Sequence, residues 1–150
     1  MSWEDDELIA VEKLKQEKAR RDDLILQRSR QRESQARYCW IDLQGKLRGL
    51  VVTFNAKADR TIFEVQEGAA SQIAIHHEDG WSLDVEYDSS MYRASFRFLP
   101  YPAHNQDFEL VVMPVAGNDA TVWVDEKTRT RELAEAIAAR AIRKLLRSGL

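Results

Sequence analysis

The sequence predicts an α+β protein: a long N-terminal helix, an antiparallel sheet of six to eight meandering strands, and an amphipathic C-terminal helix packed on one face of that sheet. Three observations carry this expectation. Residues 1–44 contain no glycine or proline and are rich in strong helix formers. Residues 38–125 change to short alternating runs separated by turn residues, too closely spaced for helices between them, so the pairing is expected to be antiparallel. From about Lys127 onward the apolar residues return to helical spacing. A chain of 150 residues suits one domain, with residues 1–37 as the charged helix and 38–150 as sheet plus C-terminal helix.

The N-terminal helix is expected from about Asp5 to Arg37. Acids Glu4, Asp5, Asp6 and Glu7 stand at its start and Arg28, Arg30, Arg32 and Arg37 toward its end, a polarity that suits the helix dipole. Leu8, Val11, Leu14, Leu24, Ile25 and Leu26 give no clean heptad, so a coiled coil is not predicted. Such a helix is longer than one domain needs, and it is expected to meet a partner or to project.

The strand segments read as YCWIDL, LRGLVVTF, TIFEVQ, SQIAIHH, WSLDVEY, MYRASFRFL, DFELVVMPV and ATVWVD. The hairpin HHEDGW fixes one register. A three-residue Glu78-Asp79-Gly80 loop pairs Ile75 with Leu83 and Ile73 with Val85, and places glycine where a left-handed backbone is required. Adjacent strand residues point to opposite faces, so His76 and His77 cannot chelate one ion. With Ser89-Ser90 at the next tip, Tyr87 is expected opposite Tyr92 and Glu86 opposite Arg93, an ion pair on a wet face. A Gly117-Asn118-Asp119 loop would pair Val112 with Val124 on the core side. It would gather Val111, Met113 and Trp123 into an apolar patch on the other.

In the last helix Leu133, Ala134, Ile137, Ala138, Ala141, Ile142 and Leu145 form one apolar face. The order of elements resembles the pleckstrin-homology layout, a likeness of architecture alone.

Charge bounds the function. Residues 38–127 carry a net −7 and residues 128–150 a net +4, within an overall −3. The acidic middle argues against docking on nucleic acid or anionic lipid. The arginines of RSRQRESQAR spread around the helix rather than lining one groove. No run of about 18 apolar residues is present, so no membrane span is expected, and the acidic MSWEDDEL start does not read as a secretory signal. Cytoplasmic residence is the expectation.

Catalytic and cofactor signatures are missing. The six glycines are scattered rather than grouped in a phosphate loop, no Gly-x-Ser-x-Gly occurs, and Cys39 sits between Tyr38 and Trp40. Metal would need three or four convergent ligands, and the third histidine, His104, lies in the Pro-flanked loop 99–107. The expectation is therefore no cofactor, no metal and no enzyme activity. The expected function is a protein-interaction or assembly module. It would meet itself or another protein through the N-terminal helix and the Val111, Met113 and Trp123 patch. The alternative is a carrier of a small hydrophobic ligand, with a pocket between curved sheet and C-terminal helix lined by His77, Trp81, Tyr92 and Phe96.

Overall fold

The computed structural model describes residues 2–100, 107–114 and 121–148. Helix α1 runs Trp3–Ala58. It is followed by strands β1 (Phe63–Glu67), β2 (Gln72–His77), β3 (Ser82–Asp88), β4 (Arg93–Leu99), β5 (Phe108–Pro114), β6 (Thr121–Asp125) and β7 (Thr130–Glu132), then by helix α2 (Ala134–Leu146). The seven strands form one antiparallel meander in the order β1 to β7. The fold is α+β, as the sequence predicts. Contacts divide the chain into Met1–Ser34 and Gln35–Leu150.

The first correction concerns YCWIDL and LRGLVVTF, which are not strands. Residues 38–54 continue α1, and its buried positions Ala36, Trp40, Leu43, Leu47 and Val51 recur every three or four residues, a helical stripe. The same segment alternates well enough to suggest a strand, because aromatic and β-branched residues crowd it. Packing decides the matter: Ala36, Leu43 and Leu47 are fully buried, whereas Val52 is 68% exposed. Gly45 and Gly49 lie on the exposed side, with nothing within 4 Å of an added Cβ. Where the helix ends, Asp59 adopts φ 55°. Asn55 then ties the exit: its Oδ1 accepts the N–H groups of Ile62 and Phe63, both at 2.9 Å, and its Nδ2 donates to the Phe63 carbonyl.

Within Gln35–Leu150 one core joins three layers of side chains. The sheet contributes Ile73, Ile75, Leu83, Val85, Phe96, Phe98, Leu110 and Val112, all fully buried. The later part of α1 contributes Trp40, Leu43 and Leu47, and α2 contributes Ile137, Ala138, Ala141, Ile142 and Leu145. The apolar face expected for the last helix is the buried one, except that Leu133 is exposed and precedes the helix. Trp40 stacks on Tyr87 with ring centroids 5.3 Å apart and donates its indole N–H to the Ala70 carbonyl at 2.9 Å. A buried tryptophan needs such a partner for its one polar group. This open meander lies under parts of two helices, so it departs from the pleckstrin-homology order, which has only the C-terminal one.

Two strand registers differ from expectation. The β2–β3 hairpin holds: Ile75 faces Leu83 and Ile73 faces Val85, and Gly80 has φ 100°. At β3–β4 the pairing slips by two residues, so Tyr87 opposes Ala94, Val85 opposes Phe96 and Leu83 opposes Phe98. Faces survive a two-residue slip, but partners do not. Glu86 therefore meets Ser95, and the expected Glu86–Arg93 pair is absent. Arg93 instead bridges Glu126 at 3.0 Å and Glu109 at 3.6 Å.

At β5–β6 Val111 opposes Val124 and Val112 opposes Trp123. Trp123 is thus on the core face and only 3% exposed. The expected Val111, Met113 and Trp123 patch is not assembled. Val111 and Met113 share the outer face with Val124 and Val122, and Val111 is itself buried. The Gly117-Asn118-Asp119 loop and His104 lie outside the described residues.

Candidate functional site

The two histidines of HHEDGW part as the alternation requires. His76 lies on the outer face, its Nε2 2.7 Å from Gln66 Oε1. His77 turns to the core face against Phe63, with ring centroids 5.2 Å apart, and its Nδ1 contacts the Asp79 carboxylate. Partial desolvation works to raise the pKa of Asp79. The Trp81 N–H it accepts at 3.0 Å and its contact with His77 outweigh this, and the carboxyl sits below its ordinary range. Among the described residues no three His, Cys, Asp or Glu side chains converge on a point that could hold a metal ion. Cys39 is half-buried in α1, its Sγ 3.3 Å from Thr121 Oγ1.

His77, Trp81, Tyr92 and Phe96 do not line one pocket. His77 ends β2 and Trp81 immediately precedes β3, while Tyr92 precedes β4 beside the end of β3. Seven strand residues separate those positions, roughly 20 Å. Phe96, between them, is fully buried and stacked on Phe108 at 4.4 Å, so the space is filled by side chains.

A cleft of about 430 Å³ does open at the Phe108 end of the sheet, and Phe96 is the one expected residue that reaches it. Its walls are Phe96, Phe108, Asp107, Asp125, Arg140 and Lys144. The α2 cations Arg140 and Lys144 lie over the Phe108 ring, 4.0 and 5.0 Å from its centroid. Burial lowers the Lys144 pKa, the neighbouring Arg140 lowers it further, and Asp125 and Asp107 oppose both. Arg140 is held by Glu132 at 3.1 Å and by the buried Asp125 at 3.5 Å. Asp107 accepts the Phe98 N–H at 2.9 Å, just past the last β4–β5 pair. Most cleft groups are thereby committed to neighbours, which leaves little free chemistry. Arg140 and Lys144 stand one turn apart on α2, beside its buried apolar face. Their signal was the i,i+4 spacing at the edge of that face, which lets both cations lean over one aromatic ring.

A different surface dominates Met1–Ser34. Ser2 opens α1, its Oγ accepting the Asp5 N–H at 3.4 Å. Beyond that cap the helix carries Trp3 at 73% exposure, Leu8 at 69% and Ile25 at 65%, with Leu14, Leu24 and Leu26 also exposed. No protein-family model, curated protein or solved structure matches the chain. Among the described residues no helix is long and apolar enough to cross a membrane.

Proposed function

We propose that the protein is a non-enzymatic assembly module whose docking surface is the α1 segment 3–34. One observation carries this reading: large apolar side chains stand exposed along a helical segment, while Gln35–Leu150 holds a closed core of its own. Isolated helices are marginal in water, and most helical stability in proteins comes from packing an apolar face. A segment with Trp3, Leu8, Leu14 and Ile25 in solvent gains that stability from a partner.

Deletion tests it. A chain beginning at Gln35 should unfold within a few degrees of the full chain, because Ala36 and the rest of the core remain. A fall of more than about 10 °C, roughly 2 kcal/mol for a domain of this size, would mean that residues 1–34 serve their own fold, and the reading would fail.

A second reading, a small-ligand carrier, keeps one supporting observation, the cleft beside Phe108. Its volume lies in the range of ligand sites. Arg140 is already neutralised by Asp125 and Glu132, so this reading ranks behind the first.

A further inference from the structure

The Phe108 ring has one face against Phe96, in a near-parallel stack at 4.4 Å. The other face is left to Arg140 and Lys144, whose charged groups stand 4.0 and 5.0 Å from the ring centroid. Two cations on two half-buried side chains therefore share one aromatic face. Like charges so placed disfavour each other's charged forms. A guanidinium keeps its proton in proteins, so the ammonium is the group that yields. The carboxylates lining the cleft do not undo this, because each has another partner. Asp125 takes Arg140 and the Lys127 N–H, Asp107 takes the Phe98 N–H, and Glu109 and Glu126 take Arg93. Burial first, then Arg140, hold the Lys144 ammonium below its ordinary pKa.

We propose that Lys144 Nζ is a nucleophilic amine that holds a small carbonyl compound in this cleft as an imine. A desolvated lysine beside a second cation is the setting that activates such an amine. The neutral nitrogen attacks the carbonyl carbon and a C–N bond forms. The carbonyl oxygen then leaves as water, taking both amine protons. The step is reversible and needs neither oxidant nor reductant, and a neutral imine relieves the repulsion from Arg140. The cleft volume of about 430 Å³ admits a ligand of benzaldehyde size. This goes beyond the assembly reading: it uses no residue of segment 3–34 and gives the cleft a ligand class.

The test treats the full chain with benzaldehyde at about pH 7, where ordinary lysines are almost fully protonated. Cyanoborohydride fixes any imine as a benzylamine, and peptide mass mapping reads each site. Lys144 should be modified several-fold faster than Lys13 and Lys57, which are exposed. Its rate should also saturate as benzaldehyde fills the cleft, whereas theirs should rise linearly. In Arg140→Met the second cation is gone, and the Lys144 rate should fall toward that of Lys57. Circular dichroism reports whether that variant folds, and the wild-type comparison stands without it. A Lys144 rate no higher than that of Lys57, or one that never saturates, overturns the proposal and leaves the assembly reading to the Gln35 deletion. A Lys144 rate unchanged by Arg140→Met in a folded chain overturns the part given to the cation pair.

Discussion

One helix, α1, contains two regions built on opposite terms. Residues 3–34 are mostly strong helix formers, without glycine or proline, and bury nothing large; residues 35–58 include Gly45, Gly49, Val51, Val52, Thr53 and Phe54, poor helix formers, yet hold Trp40, Leu43 and Leu47 in the core. In the first region local preference suffices to specify the helix and packing contributes little. In the second, packing overrides preference. The comparison shows why a sequence can be most legible where the structure is least anchored.

The comparison breaks most sharply under leucine truncation. Leu47→Ala should cost about 2–5 kcal/mol, as expected for a fully buried leucine, whereas Leu14→Ala should change the unfolding of Gln35–Leu150 by less than about 0.5 kcal/mol. Urea denaturation followed by tryptophan fluorescence checks both. Equal effects would mean the two regions do not differ as described.

Asn55 carries the next largest effect. Asn55→Ala strips the Ile62 and Phe63 N–H groups of their acceptor and should cost about 1–3 kcal/mol, read by the same denaturation. A neutral result would mean water replaces the side chain without loss.

A gain is expected where the second region tolerates poor formers. Gly45→Ala and Gly49→Ala meet no neighbour within 4 Å, so each should stabilise by about 0.5–1 kcal/mol. Destabilisation in calorimetry would show that a partner approaches that face closely.

The smallest effect is acidic. The Arg60 guanidinium bonds Glu78 at 2.8 and 3.2 Å and holds its carboxyl below the ordinary range, and Ser90 does the same for Asp88. Depressed carboxylates stabilise the fold above their unfolded pKa of about 4, and that contribution is lost as pH falls through their folded values. The melting temperature should therefore drop below about pH 4. Glu78→Gln/Asp88→Asn should flatten that limb, and an unchanged limb would assign it to other groups.

The same contrast explains what was legible. The Glu78-Asp79-Gly80 hairpin could be read because glycine and a clean alternation agreed on one register. At β3–β4 a two-residue slip preserves both faces, so no pattern of apolar and polar residues could have detected it. At β5–β6, Val111, Val112, Val122, Trp123 and Val124 are apolar on both faces, and the alternation that would place Trp123 inside is missing. YCWIDL and LRGLVVTF failed for a third reason. Their residues satisfy period two nearly as well as 3.6, and only the sequence-distant partners Tyr87 and Ala70 reveal the helix. A long charged helix from about Asp5 to Arg37 was legible from its helix formers, though not its continuation to Ala58. The cleft was not, since its walls come from β4, β5, β6 and α2.

Amide hydrogen exchange on the full chain, run at low and high protein concentration, bears most directly on the division of α1. The amides of Leu43–Val51 should be protected to the level of global unfolding at both concentrations, while those of residues 3–34 should exchange fast wherever no partner is bound. Protection of residues 3–34 equal to that of Leu43–Val51 at every concentration would contradict the account, because the segment would then be stabilised by its own chain.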